Sequence, residues 1–307
     1  MLCEMPMPPK LLATLIGLIA ILLWAVLALT TALTNRIPSF ELLGLTFAVA
    51  TTMGAISWLF RPGAMAALRQ PWQVWALGVG GLFGYHAVYF AALKRAPPAE
   101  ASLIAYLWPL LIVLFSAMLP GERLRWYHVA GAMLGFIGVL ALALAKGVAG
   151  FEAANAPGYA LALACAFIWS SYSVLSRRFK AVPTDAVVGF CAVTCVLALM
   201  CHSLFEQTVW LDGTEWLAVI GLGLGPVGLA FYAWDRGIKH GDIRLLGVAS
   251  YATPVLSTLI LVAVGFAAPT LSLGLAVLLI VGGALFASRD QIFGAKKPAE
   301  EAVLDRS

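Results

Sequence analysis

Tyrosine, tryptophan and histidine side chains recur at helical spacing inside long apolar stretches of this sequence. Tyr85 and Tyr89 are four residues apart, so they share one face of a helix, and His86 lies beside them. A tyrosine hydroxyl deep in an apolar environment needs a polar partner, which a polar cavity or water would supply. A cavity lined by rings and a few hydroxyls suits a ligand that is apolar or aromatic and has one polar end.

The candidate ligand-binding residues all carry a ring within an apolar stretch. They are Trp24, Tyr85, His86, Tyr89, Tyr106, Trp108, Trp169, Tyr172, Trp234 and Tyr251. His86 has two interpretations: a ligand-binding or proton-sensing group, or a packed and hydrogen-bonded neutral histidine. Aromatic residues near the ends of apolar stretches, such as Trp72, Trp126 and Trp210, are instead typical of the belt at a membrane surface.

The charges exclude several kinds of chemistry. No Lys, Arg, Asp or Glu lies within the centre of any long apolar stretch, which disfavours nucleotide sugars, organic phosphates and proton coupling through a buried carboxylate. No Ser–His pair, carboxylate pair or metal-ligand cluster has workable spacing there, so we predict no catalytic residue, no metal site and no cofactor. Cys191 and Cys195, with His202, could be read as metal ligands, but no acidic second shell accompanies them, and we reject that interpretation.

The elements that position the rings are membrane helices. The chain has 307 residues, of which 62% are hydrophobic and 11% are charged, whereas soluble domains contain about 25% charged residues. Eight uncharged windows each match one bilayer-spanning helix of roughly 20 residues, and a ninth, 245–288, has room for two helices separated at Pro269. We therefore predict an all-α integral membrane protein with ten transmembrane helices, at 11–34, 39–60, 72–94, 98–119, 125–146, 157–179, 183–205, 213–239, 242–267 and 270–288.

One constant shift of 145 residues lays much of the first half on the second without a gap. It places Trp24 on Trp169, Tyr106 on Tyr251 and Pro109 on Pro254. We interpret the shift as a duplication of a five-helix unit, with the copies at 10–150 and 151–288. Because five is odd, the second copy must enter the membrane from the opposite side. Two inverted repeats around a central cavity are the architecture of many secondary transporters.

Prolines and glycines indicate where helices bend and approach each other. Pro109 and Pro254 fall inside the fourth helix of each copy, where each removes a backbone hydrogen bond. We predict that they act as hinges or form a cavity wall; the alternative is a harmless kink. Glycines spaced four apart at Gly80 and Gly84, at Gly131 and Gly135, and at Gly221 and Gly225 predict close helix packing.

The positive charges predict orientation. With the N-terminus inside, 15 of the 19 Lys and Arg residues fall on the cytoplasmic side and 4 fall outside. We therefore predict a multi-pass protein of the bacterial inner (plasma) membrane with both termini cytoplasmic. Residues 1–9 form a short cytoplasmic N-terminus, and 289–307 form a disordered cytoplasmic tail. The predicted partners are the lipid bilayer and a small-molecule substrate, without nucleic acid, and the chain is predicted to be a monomer.

Several motifs resemble a known family. The stretch from Ala96 to Pro109, which ends in Tyr-Leu-Trp-Pro, and Gly121-Glu122-Arg123 followed by a glycine-rich helix resemble the drug/metabolite transporter superfamily, EamA type. Within it the chain looks most like the YddG amino-acid exporters, also because of Trp169. The resemblance covers about 10–288. It implies that helices 1, 3, 4, 6, 8 and 9 surround a central cavity, with helices 5 and 10 peripheral.

The resemblance also implies a function. A carrier of this kind exports amino acids, aromatic ones among them, from the cytoplasm by alternating access. The alternative is efflux of lipophilic drugs or cations, which an aromatic lining also permits. An intramembrane enzyme or scaffold finds no support in the sequence, because no catalytic constellation lies within the apolar windows.

Overall fold

A computed structural model describes residues 8–27, 30, 33–121, 124–145, 147–148, 150–265 and 268–289, and within these ranges the chain is helical, without strands. Ten helices follow in order: α1 (Pro9–Ala25), α2 (Ser39–Trp58), α3 (Trp72–Leu93), α4 (Pro98–Ser116), α5 (Trp126–Ala145), α6 (Ala156–Arg178), α7 (Ala186–Phe205), α8 (Gly213–His240), α9 (Ile243–Ala263) and α10 (Leu271–Ala287). Nearly all of the predicted N-terminal segment 1–9 and tail 289–307, and also Glu122 and Arg123, lie outside the described residues.

The helices have the length and composition that a bilayer requires. Eight of them, α2 to α9, are long and apolar enough to cross a membrane, and α1 and α10 are shorter apolar helices of 17 residues each. The long apolar window does contain two helices, α9 and α10, on either side of Pro269. The continuous part of α1 ends at Ala25; Leu27 and Thr30 beyond it are also helical, while residues 28, 29, 31 and 32 lie outside the described part of the chain. The protein is therefore an all-helical, multi-pass membrane protein.

Two helices contain a π-helical turn at equivalent positions. In α3 the turn covers Gly80–Gly84, and in α8 it covers Gly225–Leu229, which is the same shift of 145 residues. A π-helical turn replaces the i to i+4 hydrogen bond by an i to i+5 bond and is frequent at functional sites. Neither turn was expected from the sequence, although the repeated glycines mark both positions.

Two other helices contain a break in the regular α-helical hydrogen-bond pattern, at Tyr106 and Leu107 within α4 and at Ser250 and Tyr251 within α9. At these breaks the amides of Leu107 and Tyr251 donate to carbonyls three residues back, while the backbone of both residues keeps helical dihedral angles. Pro109 and Pro254 then lie in the first turn of the following helical segment, at its second and third residues. Proline costs little in a first turn, because the amide hydrogen that it lacks would have no helical partner there. Each proline thus follows a break in its helix.

Only some of the glycines that the sequence indicated make close contacts with a neighbouring helix. A Cβ atom built on Gly80, Gly84 or Gly221 would meet no atom within 4 Å, so the predicted close packing at these three residues was wrong. At Gly131 the prediction was right: a Cβ atom would lie 2.5 Å from the Gly283 carbonyl oxygen of α10. Helices α5 and α10 therefore pack backbone to backbone.

Candidate functional site

Four tryptophans from four helices meet in the middle of the helix bundle. Trp24 of α1 contacts the other three, with ring centroids 6.3 Å from Trp108 of α4, 5.8 Å from Trp169 of α6 and 5.2 Å from Trp234 of α8. We call these residues the tryptophan cluster. Their exposed fractions are 9, 8, 5 and 0%, so the rings are packed against each other in this conformation. The arrangement is edge-to-face or tilted for these three pairs, as ring quadrupoles favour.

Two indole N–H groups of the cluster donate hydrogen bonds to the surrounding helices. Trp24 Nε1 donates to the Pro226 carbonyl oxygen, 3.0 Å away, within the π-helical turn of α8. Trp234 Nε1 donates to Ser173 Oγ of α6, 3.1 Å away. The first bond joins residues 202 positions apart in sequence. It ties α1 of the first half to the π-helical turn of the second half.

Three tyrosines lie on the side of the cluster that leads toward the C-terminal end of α3. Tyr85 stacks on Tyr89, with centroids 5.9 Å apart and planes inclined by 10°, and it also contacts Trp169 at 5.7 Å. Tyr89 Oη and Ser102 Oγ share a hydrogen bond of 2.7 Å. Tyr85, Tyr89 and Tyr106 are half-buried, in contrast to the tryptophan cluster. This side therefore presents hydroxyl groups as well as ring faces.

His86 is packed and hydrogen-bonded. Its Nδ1 atom lies 2.7 Å from the Leu82 carbonyl oxygen of the π-helical turn in α3. Because a carbonyl only accepts, Nδ1 carries a hydrogen and donates it. The ring contacts Phe47 at 5.7 Å and Phe231 at 6.5 Å. Phe231 occupies the position of His86 in the second copy, since 231 minus 86 is the common shift of 145. The two halves therefore place different chemistry at equivalent positions.

The opposite side of the tryptophan cluster leads to a buried ion pair. Trp169 contacts Tyr172 at 5.2 Å, and beyond Tyr172 lie Asp235 and Lys239 of α8, whose Oδ1 and Nζ atoms are 2.8 Å apart. Asp235 pairs with Lys239, four residues further along the same helix, although Arg236 is its neighbour in sequence. Residues four apart share a helix face, whereas adjacent residues do not.

Tyr251 lies apart from the tryptophan cluster. It is fully buried in a second apolar cluster, against which Tyr106 also packs, and its ring lies 6.3 Å from that of Phe136 on α5. Its hydroxyl oxygen accepts a hydrogen bond of 3.1 Å from the backbone N–H of Leu110, the residue after Pro109. The first amides of a helical segment lack helical partners. Tyr251, at the break in α9, therefore satisfies an amide next to the break in α4.

Nine of the ten candidate residues form one group that extends along the helix bundle. Tyr85, His86, Tyr89 and Tyr106 lie on one side, the tryptophan cluster is central, and Tyr172 lies on the other side. Sequence reasoning did not predict the pairing of Asp235 with Lys239 or the contact of Phe231 with His86. The i, i+4 spacing of the charged pair was the available signal. Among the described residues, no three His, Cys, Asp or Glu side chains are placed to hold a metal ion.

Comparison with known proteins adds a family and close relatives. The sequence matches the EamA-like transporter family twice, at residues 11–144 and 156–289. It is 60% identical to the aromatic amino acid exporter YddG of Ancylobacter novellus, over 90% of this chain and 96% of that protein. It is 30% identical to the YddG exporter of Escherichia coli, over 89% of this chain and 95% of that protein. A crystal structure with 59% identity superimposes with a TM-score of 0.89 and covers 91% of this chain and 97% of its own.

Proposed function

This chain belongs to the EamA-like transporter family of the drug/metabolite transporter superfamily, and we propose that it exports amino acids, aromatic ones among them. The relative from Ancylobacter novellus, named an aromatic amino acid exporter, supports this substrate class through 60% identity over nearly its whole length. The observation in the structure that carries the proposal is the tryptophan cluster. Its rings come from both halves of the chain and meet where a substrate crossing the bundle would pass.

The lining matches the chemistry of such a substrate. An aromatic side chain stacks favourably on Trp and Tyr rings, while hydroxyl groups hydrogen-bond its polar end. Tyr85, His86, Tyr89, Tyr106, Trp108 and Trp169 supply these groups on one side and at the centre of the bundle. Tyr172 and Trp234 continue the lining toward the ion pair, with Trp24 as the central ring. Tyr251 supports the site indirectly, through Leu110.

The repeat supports an inverted architecture of ten membrane-spanning helices. The two family matches begin at residues 11 and 156 and end at 144 and 289, so both ends differ by 145 residues. With five helices in each copy, the second copy would enter the membrane from the side opposite to the first. The excess of Lys and Arg, 15 against 4, supports an orientation with both termini in the cytoplasm. We infer that the chain lies in a bacterial inner membrane as a monomer.

We infer transport by alternating access. The breaks at Tyr106–Leu107 and Ser250–Tyr251, each followed by Pro109 or Pro254, divide α4 and α9 into halves that can tilt separately. The packed tryptophan cluster closes the middle of the bundle in this conformation. Tilting of the half-helices would open it first to one side and then to the other.

Counterflow of labelled phenylalanine in proteoliposomes tests the proposal. We expect the wild-type protein to exchange phenylalanine, and we expect Trp108→Ala and Trp169→Ala to reduce that exchange at least tenfold. Trp210→Ala is the matched control, because this tryptophan is 89% exposed and outside the cluster. Size-exclusion profiles would show that all variants are folded. Normal exchange by both cluster variants would refute the binding site.

A second candidate function rests on the same rings. Four tryptophans also suit a lipophilic cation, since cations are attracted to ring faces. The counterflow experiment separates the two functions when a lipophilic drug cation is added. Drug transport without amino-acid exchange would replace the amino-acid assignment. If phenylalanine transport needs an imposed proton gradient, His86 becomes the first candidate for the coupling residue, and gradient-independent exchange would leave His86 a packing and binding residue.

A further inference from the structure

We propose that Asp235 and Lys239 form a loading site for zwitterionic amino acids at the cytoplasmic end of the bundle. There the two side chains separate from each other, and each binds the opposite charge of the substrate instead. The α-ammonium group of the amino acid would bind Asp235, and its α-carboxylate would bind Lys239. This inference rests on the proposed export of amino acids and adds the group that recognises the zwitterion before it reaches the tryptophan cluster.

The ion pair is unusually enclosed. The side chains of Lys239 and Asp235 are 3 and 2% exposed, and their charged atoms are 2.8 Å apart. Thr184 Oγ1 donates to Asp235 Oδ2 at 2.7 Å, and Lys239 Nζ donates to the Val182 carbonyl oxygen at 3.0 Å. These contacts join the C-terminal end of α8 to the segment between α6 and α7. They close the cytoplasmic end of the bundle in this conformation.

A small cavity lies next to this ion pair. The ion pair forms one side of the cavity, and aromatic and aliphatic groups form the other side. Its walls include Leu77 and Gly78 of α3, Tyr172 of α6, Phe179 after α6 and Phe190 of α7. Gly78 and Gly81 make room for two of these rings, since a Cβ atom would lie 2.5 Å from the Phe190 ring and 2.4 Å from the Tyr172 ring. The cavity therefore combines one positive charge, one negative charge and an apolar wall, as a phenylalanine molecule does.

The exchange keeps the buried charge balanced. Moving an ion out of water into a protein interior is costly unless an opposite charge and hydrogen bonds compensate it. A zwitterion inserted between Asp235 and Lys239 replaces one ion pair by two and leaves the net charge at zero. A carboxylate has about four acceptor positions and an ammonium group has three donors, so the charged groups of the substrate can replace the bonds to Thr184 and Val182 when these separate from α8.

The same exchange links recognition to opening. In this conformation the cavity holds no more than about one water molecule, so an amino acid can bind only after α8 and the segment around Thr184 separate. Only a ligand with both charges compensates Asp235 and Lys239 once they part. An amine without a carboxylate, or an acid without an amine, leaves one buried charge unpaired. The site therefore selects zwitterions, which the uncharged tryptophan cluster cannot do.

Charge-selective competition in proteoliposomes tests this inference. Labelled phenylalanine counterflow is measured with phenethylamine, which lacks the carboxylate, and with 3-phenylpropionate, which lacks the amine, as competitors. In wild-type protein we expect both to inhibit at least tenfold more weakly than unlabelled phenylalanine. In Lys239→Met, inhibition by phenethylamine should strengthen at least tenfold relative to 3-phenylpropionate, and in Asp235→Asn the order should reverse.

A double variant and a control complete the design. Because either single variant leaves a buried charge without its partner, the double variant Asp235→Asn/Lys239→Met removes both charges and keeps similar side-chain volumes. We expect it to raise the phenylalanine KM at least tenfold and to lose the preference for the zwitterion. Asp185→Asn is the control: it removes a carboxylate next to Thr184 that pairs with Arg61 at the protein surface, and it should behave as wild type.

The possible failures are distinguishable. If the wild-type protein does not exchange phenylalanine at all, the proposed function is wrong. If the wild type exchanges phenylalanine and the double variant keeps both its KM and its preference for the zwitterion, Asp235 and Lys239 are only a structural ion pair and the loading site is refuted. The same refutation follows from single variants that fold and show no opposite shift in competitor strength.

Discussion

Replacing Trp24 or Trp234 by phenylalanine should distinguish two kinds of hydrogen-bond acceptor around the tryptophan cluster, a backbone carbonyl and a side-chain hydroxyl. Trp24→Phe removes the bond to the Pro226 carbonyl oxygen, and Trp234→Phe removes the bond to Ser173 Oγ. Both variants lose the same indole N–H and the same part of the ring. Because these losses are shared, the difference between the variants reports mainly on the acceptors that remain.

The acceptors differ in what they can do afterwards. The Ser173 hydroxyl can rotate toward a backbone carbonyl of its own helix, so losing this bond should cost only about 0.6 kcal/mol, the average for hydrogen bonds between membrane helices. The Pro226 carbonyl is buried and fixed in the π-helical turn, so it cannot rotate toward another donor, and a buried acceptor left without its partner costs about 1–3 kcal/mol. We therefore expect Trp24→Phe to lower stability by about 0.4–2.4 kcal/mol more than Trp234→Phe, the difference between these two costs.

Reversible unfolding in mixed detergent micelles measures this difference directly. The two variants are compared with wild type by tryptophan fluorescence and by circular dichroism at matched detergent composition. An equal loss of stability in the two variants would refute the reasoning, because it would show that the Pro226 carbonyl gains nothing from Trp24. A larger loss in Trp234→Phe would show that ring packing outweighs the hydrogen bonds.

Two further predictions concern other contacts. Gly131→Ala should destabilise the protein by about 1–3 kcal/mol, because its methyl group would overlap the Gly283 carbonyl. In Gly274→Ala on α10 the methyl group meets open space, so this variant should be neutral or slightly stabilising. Thermal unfolding of both variants tests this difference. Burial pushes the pKa of Asp242 upward, but Lys10, the Leu245 amide and Arg244 outweigh it and hold the pKa below its ordinary value. Asp242→Asn should therefore lower the Tm at neutral pH, and the gap to wild type should close as the pH falls from about 3.9 through the lower folded pKa; a gap independent of pH would contradict this.

The helices were predictable because a bilayer imposes their length. Charge-free windows of one bilayer thickness located the helices within a few residues at most ends, since charged residues are confined to the loops. The convergence of Trp24 and Trp169 was also predictable, because both lie near the middle of their apolar windows and an inverted repeat leaves the membrane midplane unchanged. Window position and repetition together therefore predicted that these two rings meet.

What the sequence did not reveal depends on geometry between helices. A π-helical turn has i to i+5 hydrogen bonds in place of i to i+4 bonds. Glycine permits both patterns, so Gly80 and Gly225 did not predict the turn. Which glycines contact a neighbour depends on rotation of the helix, which placed Gly78 rather than Gly80 against a ring. The distance of Tyr251 from the cluster has the same cause. An alignment of one helix with its inverted copy gives the distance of a residue from the membrane midplane, but not the face of the helix on which the residue lies.

The hydrogen bond from Trp24 to Pro226 has a consequence for synthesis of the chain. Its partners are 202 residues apart, and the bond from the Asp242 amide to Thr14 spans 228 residues. At about 5–20 residues per second, roughly 10–40 s pass between translation of Trp24 and translation of Pro226. During that interval α1 must reside in lipid or at the insertion machinery without its native partner helix. The first helix to be made is thus among the last to find its place.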